Sequence, residues 1–98
     1  MYMIVSFGDK TTADFYHGIQ SRRVRVLPHK IIQAASDKLD VLNIVKSIDE
    51  LRCPPGNRLE VLKGKFEGYY SIRINSQWRI IFRWNNSNCS DVQIIDYH

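Results

Sequence analysis

Two runs in the C-terminal half carry the residues best suited to hold an anion: Tyr69-Tyr70-Ser71-Ile72-Arg73-Ile74-Asn75 and Trp78-Arg79-Ile80-Ile81-Phe82-Arg83-Trp84. Tyr70, Ile72 and Ile74 alternate along the first, and Trp78, Ile80, Phe82 and Trp84 along the second, so each reads as a strand with one apolar face turned to a core. If the runs pair as a hairpin, only an odd-numbered connection keeps both apolar sets on one side, and Asn75-Ser76-Gln77 supplies one. That register sets Arg73 opposite Arg79. Like charges facing each other across strands cost up to ~1 kcal/mol, which invites an anion between them, a phosphate first of all. The plainer alternative leaves both arginines splayed into solvent or paired with carboxylates such as Glu60 or Asp96.

The chain closes on Asp96-Tyr97-His98: a carboxylate, a phenol, an imidazole and the terminal carboxylate. A polar terminus is ordinarily frayed and inert. Here Val92-Gln93-Ile94-Ile95 reads as a strand that pins it, and an imidazole, with an unperturbed pKa of about 6.5, suits both halves of a proton transfer at neutral pH. His17 and His29 fall in the helical half and read as surface or helix-end residues. Ser21-Arg22-Arg23-Val24-Arg25 is a basic cluster between helices, equally a solvated loop. Lys63-Gly64-Lys65 is a basic turn near the sheet, placed to hold a phosphate backbone. Cys53 and Cys89 stand apart with no Cys-x-x-Cys spacing and no clustered His, so neither a disulfide framework nor a metal site is expected, and no cofactor is implied.

The elements that must position these groups follow from periodicity. Met1 to Phe7 reads as a first strand closed by Gly8-Asp9. Thr11 or Thr12 caps a short helix through Phe15 and Tyr16 that stops at Gly18. Pro28 opens a longer helix whose Ile31, Ala35, Leu39 and Leu42 form one buried stripe. Ser47-Ile48-Asp49-Glu50 has the capping-box pattern of a short helical turn, and Pro54-Pro55-Gly56-Asn57 is a loop. From Arg58 onward Leu59, Val61, Tyr70, Ile72, Ile74, Ile80, Phe82, Val92 and Ile94 switch to period-two alternation in four strand-like runs. The expected fold is α+β, an antiparallel meander with helices on one face, and residues 1–98 form a single domain.

Composition fits that picture. Fourteen Lys and Arg against ten acidic residues give a formal charge of +4, which favours an anionic partner, nucleic acid or an acidic protein. The N-terminus has no charged run followed by a long apolar stretch, so neither a signal peptide nor a membrane span is expected and the cytoplasm is the expected location.

Leu51-Arg52-Cys53-Pro54-Pro55-Gly56-Asn57-Arg58-Leu59-Glu60, Leu62-Lys63-Gly64, Tyr70 to Asn75, Gln77-Trp78-Arg79 and the terminal Asp96-Tyr97-His98, in this order and spacing, resemble the HigB family of plasmid-maintenance killer toxins. The resemblance covers nearly the whole chain. It implies a RelE-like fold, a curled antiparallel sheet packed by two or three helices, and a metal-independent endoribonuclease that cuts messenger RNA in the ribosomal A site. It also implies a HigA-like helix-turn-helix antitoxin, through which alone the toxin would meet operator DNA. Carried over by position, Arg73 and Arg79 flank the scissile phosphate, while Asp96, Tyr97 and His98 supply the proton chemistry, His98 as general base or acid, Tyr97 as the other proton carrier or a stacking platform, and Asp96 orienting the imidazole. Arg58, Lys63, Lys65 and Arg83 become contacts to RNA or ribosome, and Arg22, Arg23 and Arg25 contacts to the antitoxin. The competing readings are a ParE-like toxin that binds gyrase without cutting RNA, against which the terminal triplet and facing arginines argue, and a plain RNA-binding module, for which no RNP-like aromatic pair or GXXG loop is present.

Overall fold

The computed structural model describes residues 3–97. Among the described residues three α-helices, α1 (Lys10–Tyr16), α2 (Arg22–Arg25) and α3 (Ile32–Ile44), precede four strands, β1 (Glu60–Val61), β2 (Tyr70–Arg73), β3 (Trp78–Asn85) and β4 (Asn88–Asp96). The strands form an antiparallel sheet in the order β1-β2-β3-β4, the expected meander.

Helix α3 supplies the floor of the core. Ile31, its N-cap residue at the end of a 3-10 turn, and Ala35, Leu39 and Leu42 within it are each no more than 1% exposed and share one face. They pack with Ile72, Ile80, Phe82 and Val92 from the sheet. Helix α1 starts two to three residues earlier than a cap at Thr11 or Thr12 would give, because Asp9 is the cap and its Oδ1 accepts the Thr12 N–H at 2.8 Å. Thr12 is wholly buried instead, and its Oγ1 accepts the Ile94 N–H at 2.9 Å, tying the helix to β4. Gly18, at φ +74°, ends the helix as expected. The capping box also forms, with Glu50 Oε2 accepting the Ser47 N–H at 2.8 Å.

The expected first strand is not a continuous one. Ile4 bridges Cys89 and Phe7 bridges Val92, both in parallel, so the segment lies along the outer edge of β4 without joining the sheet. A local kink in β4 accounts for the break. Its register with β3 shifts between Ile81 and Arg83, Asp91 adopts φ +51°, and the Asp91 N–H turns to Ser6 Oγ at 2.9 Å instead of to a ladder partner. Met1 and Tyr2 lie outside the described residues. Cys89, the β4 residue of the first bridge, is wholly buried; its Sγ approaches the Leu42 carbonyl at 3.9 Å and its N–H donates to Met3 O at 2.7 Å.

The β2–β3 hairpin has the expected register, with Ile72 opposite Ile80 and Arg73 opposite Arg79. Asn75 shapes its connection, since Oδ1 accepts the N–H groups of both Gln77 and Trp78 at 2.8 Å. Ile72, Ile80 and Phe82 therefore face α3, while Ser71, Arg73, Arg79 and Ile81 share the other face. Among the described residues no helix is long and apolar enough to cross a membrane.

Candidate functional site

The face that carries Arg73 and Arg79 holds a cleft of about 340 Å³, lined by Arg58, Glu60, Arg73, Asn75, Ser76, Arg79 and Tyr97. Each lining residue is delivered by a local structural cause. The Pro55–Asn57 turn is pinned by buried Asn57, whose Nδ2 donates to Leu51 O at 3.1 Å and Cys53 O at 3.3 Å and whose Oδ1 accepts from Lys38 Nζ. Arg58 then takes the left-handed conformation, φ +45°, and turns its carbonyl to the guanidinium of Arg79, Nη2 to O 2.6 Å. Two residues on, Glu60 Oε1 accepts from Arg79 Nη1 at 3.1 Å.

The two arginines expected to flank an anion are thus unequal. Their pairing across the hairpin is as read from the sequence, but the exposed placement expected for both fails for Arg79, which is only 8% exposed. The carboxylate of β1 and the Arg58 carbonyl draw it down, because a guanidinium leaves water only when its donors are met. Of the alternatives open from the sequence, Arg79 takes the ion pair with Glu60. Its Nε–H has no hydrogen-bond partner among the described residues. Arg73 is half-buried and has no ion-pair or hydrogen-bond partner within the described chain. One guanidinium is fixed and the other is unengaged by the described residues, and both line one cleft.

Tyr97 closes the far side. Its N–H donates to Gln77 O at 2.7 Å, and its ring centroid lies 5.4 Å from Arg79 Cζ, a cation–π contact. Strand alternation separates it from Asp96, which pairs with Trp78 on the opposite face and accepts from Gln77 Nε2 at 3.1 Å. Asp96 does not line the cleft. His98, expected to supply the imidazole, lies outside the described residues.

Of the other basic residues singled out from the sequence, Arg58 lines the cleft, whereas Lys63, Lys65 and Arg83 do not. Arg83 sits at the far end of β3, paired with Asp91 Oδ2 at 3.3 Å. Arg22, Arg23 and Arg25 lie on α2, where Arg25 Nη2 donates to Gln20 O at 3.2 Å and Arg23 comes within 4.0 Å of Asp14. Of the three, Arg25 lines a separate groove of about 460 Å³ together with Phe15, Ile19, Val24, Leu27 and Ile32. Sequence reasoning did not assign Glu60, Asn75 or Ser76 to the site. Asn75 and Ser76 were legible in principle, since a hairpin connection beside Arg73 must reach the same cleft. Among the described residues no His, Cys, Asp and Glu cluster of metal-binding kind is present.

Comparison with known proteins supplies the context. A family model described as the RelE-like toxin of type II toxin-antitoxin system HigB matches residues 5–98. Toxin HigB-1 of Vibrio cholerae is 42% identical over 82 residues, 84% of each chain. Endoribonuclease HigB of Proteus vulgaris is 32% identical over 72 residues, 74% of this chain and 77% of that one. Among solved structures, the toxin–antitoxin heterotetramer YoeB–YefM from Staphylococcus aureus contains a chain that superposes with a TM-score of 0.58 at 23% identity, covering 100% of this chain and 98% of that one. Likeness at that identity speaks for the fold alone, and the RelE-like α+β fold expected from the sequence is the one found.

Proposed function

Since the chain belongs to the HigB family of RelE-like toxins of type II toxin–antitoxin systems, we propose that it is an endoribonuclease that cuts messenger RNA on the ribosome, in the cytoplasm, and is neutralised by a HigA-like helix-turn-helix antitoxin. The observation that carries this reading is the convergence of Arg58, Arg73, Arg79, Glu60 and Tyr97 on one cleft. A cleft of that kind suits a phosphodiester: cations for the phosphate, an acid–base set for the protons and a ring for a base.

The reaction is attack by the ribose 2′-oxygen on the adjacent phosphorus, with the bond to the 5′-oxygen of the next nucleotide breaking. The products are a cyclic phosphate and a 5′-hydroxyl. Arg73 and the Arg79 Nε–H donate to the non-bridging oxygens as charge builds, a contribution of ~3 kcal/mol per lost donor in comparable sites. Glu60 is, among the described residues, the carboxylate that lines the cleft, and it stands ready to accept the 2′-hydroxyl proton. His98 returns a proton to the leaving 5′-oxygen, and Tyr97 stacks on a base beside the cut. Asp96 orients the His98 imidazole. The toxin meets DNA only through its antitoxin, for which Arg22, Arg23 and Arg25 beside the α1–α2 groove are the charged contacts, steering an acidic partner. Catalysis draws on no protein-bound metal.

Translating ribosomes incubated with the pure protein, with cut sites mapped and a gyrase supercoiling assay run alongside, test the reading. Cleavage of ribosome-bound messenger without effect on supercoiling is expected. Inhibition of gyrase with intact messenger overturns it. Stoichiometric transition metal in the pure protein, measured by elemental analysis, overturns the metal-free mechanism.

A further inference from the structure

The cleft is not the end of the functional face. With Arg73 opposite Arg79 and Ser71 opposite Ile81, the next rung along the same face brings Tyr69 beside Arg83. The guanidinium carbon of Arg83 lies 4.3 Å from the centre of the Tyr69 ring, and Asp91 grips its edge at Nε. Phe66 meets Tyr69 edge-on, with centroids 6.1 Å apart at 77°, and Lys65 Nζ stands 5.2 Å from the Phe66 centroid. Gly68 makes the arrangement possible: at φ +93° it has no Cβ, and one built there would come within 2.7 Å of Arg83 Nη1.

Neither Phe66 nor Tyr69 packs on the hydrophobic core. Both are half-buried, Lys63 and Lys65 are exposed, and the Arg83 side chain is 46% exposed. A guanidinium held flat on a ring and gripped only at its edge still presents its outer plane, and a plane of that kind is a surface for a nucleobase. Two rings interleaved with three cations, away from the core and on the same face as the cleft, have the composition of a single-strand platform.

We propose that Phe66, Tyr69 and Arg83 form a stacking subsite for the RNA strand that enters the cleft, with Lys63 and Lys65 on its phosphates. The inference rests on the RNA-cutting reading above and extends it to a second contact at a set distance. Arg79 and Arg83 are four residues apart on β3, about 13 Å at ~3.3 Å per residue. A stacked strand advances ~3.4 Å per nucleotide, so about four nucleotides span the gap, and fewer when bases are splayed. Stacking on rings and guanidinium planes tolerates every base, so the subsite adds affinity that depends on RNA length and not on its sequence.

The test uses the full-length protein and two fluorescein-labelled RNAs, a dinucleotide and an octanucleotide, each with a 2′-methoxy group at the scissile position to block cutting. The octanucleotide binds more tightly, and the Phe66→Leu/Tyr69→Leu double variant weakens its binding about 5- to 100-fold, as expected for lost base–ring stacking. Dinucleotide binding stays within twofold, and Tyr69→Phe retains the octanucleotide affinity. A 4-thiouridine two to four nucleotides from the scissile position cross-links to residues 65–69 or to Arg83. Unchanged octanucleotide binding by a double variant that melts as a folded protein overturns the subsite, as does a cross-link confined to other residues. Where Arg73→Ala loses binding of both RNAs and the double variant loses neither, the cleft stands and the platform falls. Where the parent protein binds neither RNA, free or on the ribosome, the RNA-cutting reading fails and takes the subsite with it.

Discussion

Arg73 and Arg79 face each other across the hairpin, yet their substitution should have opposite physical consequences. Arg73 has no partner within the described chain, so Arg73→Ala is expected to leave the melting temperature within about 2 °C of the parent, an ordinary surface effect, while toxicity is lost. Arg79 is buried against Glu60 and the Arg58 carbonyl. Arg79→Ala is therefore expected to cost about 1–3 kcal/mol, less than a fully buried pair because Glu60 is half exposed. Thermal melts of the two variants side by side check this, and equal melting temperatures would contradict the burial argument. Deleting His98 should slow single-turnover cleavage at least ~100-fold, as should Glu60→Gln, the lower range for a lost acid or base. Tyr97→Phe keeps the ring over Arg79 and loses only the hydroxyl, so cleavage within about tenfold of the parent identifies a stacking role. A larger loss identifies a proton carrier.

At the level of elements, the register that makes the site depends on a three-residue connection and the side chain that shapes it. Asn75→Ala removes two acceptor contacts, to the N–H groups of Gln77 and Trp78, and is expected to destabilise the protein by about 1–2 kcal/mol. Denaturant unfolding at unchanged slope checks it, whereas a changed slope would point to a rearranged hairpin. This hairpin was legible because strand parity is strict: one residue more or fewer in the connection would have buried Arg73 and exposed Ile72. The stripe of α3 was legible for the same reason, a fixed period acting on strongly apolar residues. The sequence misled where an element's fate depends on a distant partner. Ile4, Val5 and Phe7 have strand propensity, but the kink at Asp91 decides that they form two bridges and no ladder. Thr12 looks like a cap because its hydroxyl needs a local N–H, and it satisfies that need with Ile94 in β4. The Glu60–Arg79 pair joins residues 19 apart, and it was legible only as one of several available carboxylates. Tyr97 was expected beside Asp96 in one group, and the alternation of β4 sends them to opposite faces.

Over the whole molecule, the N-terminal segment, α3 and β4 meet at Cys89, whose burial pushes its thiol up to about 12. In the unfolded chain the same thiol ionises near 8.5, so the folded state holds that proton more tightly. Its contribution to stability is complete below about pH 8.5 and declines as pH rises from there towards 12, because the unfolded state gains by releasing the proton first. Equilibrium unfolding of the parent and of Cys89→Ala between neutral and alkaline pH should therefore converge as pH rises, and a constant gap would contradict the linkage. The same burial gives the molecule a clock. Cys53 is exposed and Cys89 is not, so in Cys53→Ser a thiol reagent can advance only when the junction of N-terminal segment, helix and sheet comes apart. The pace of labelling measures how often the free toxin opens, and a bound antitoxin that prefers the closed form should slow it in proportion to its occupancy. Run in cell extract, the same measurement would read what share of the toxin is held closed there.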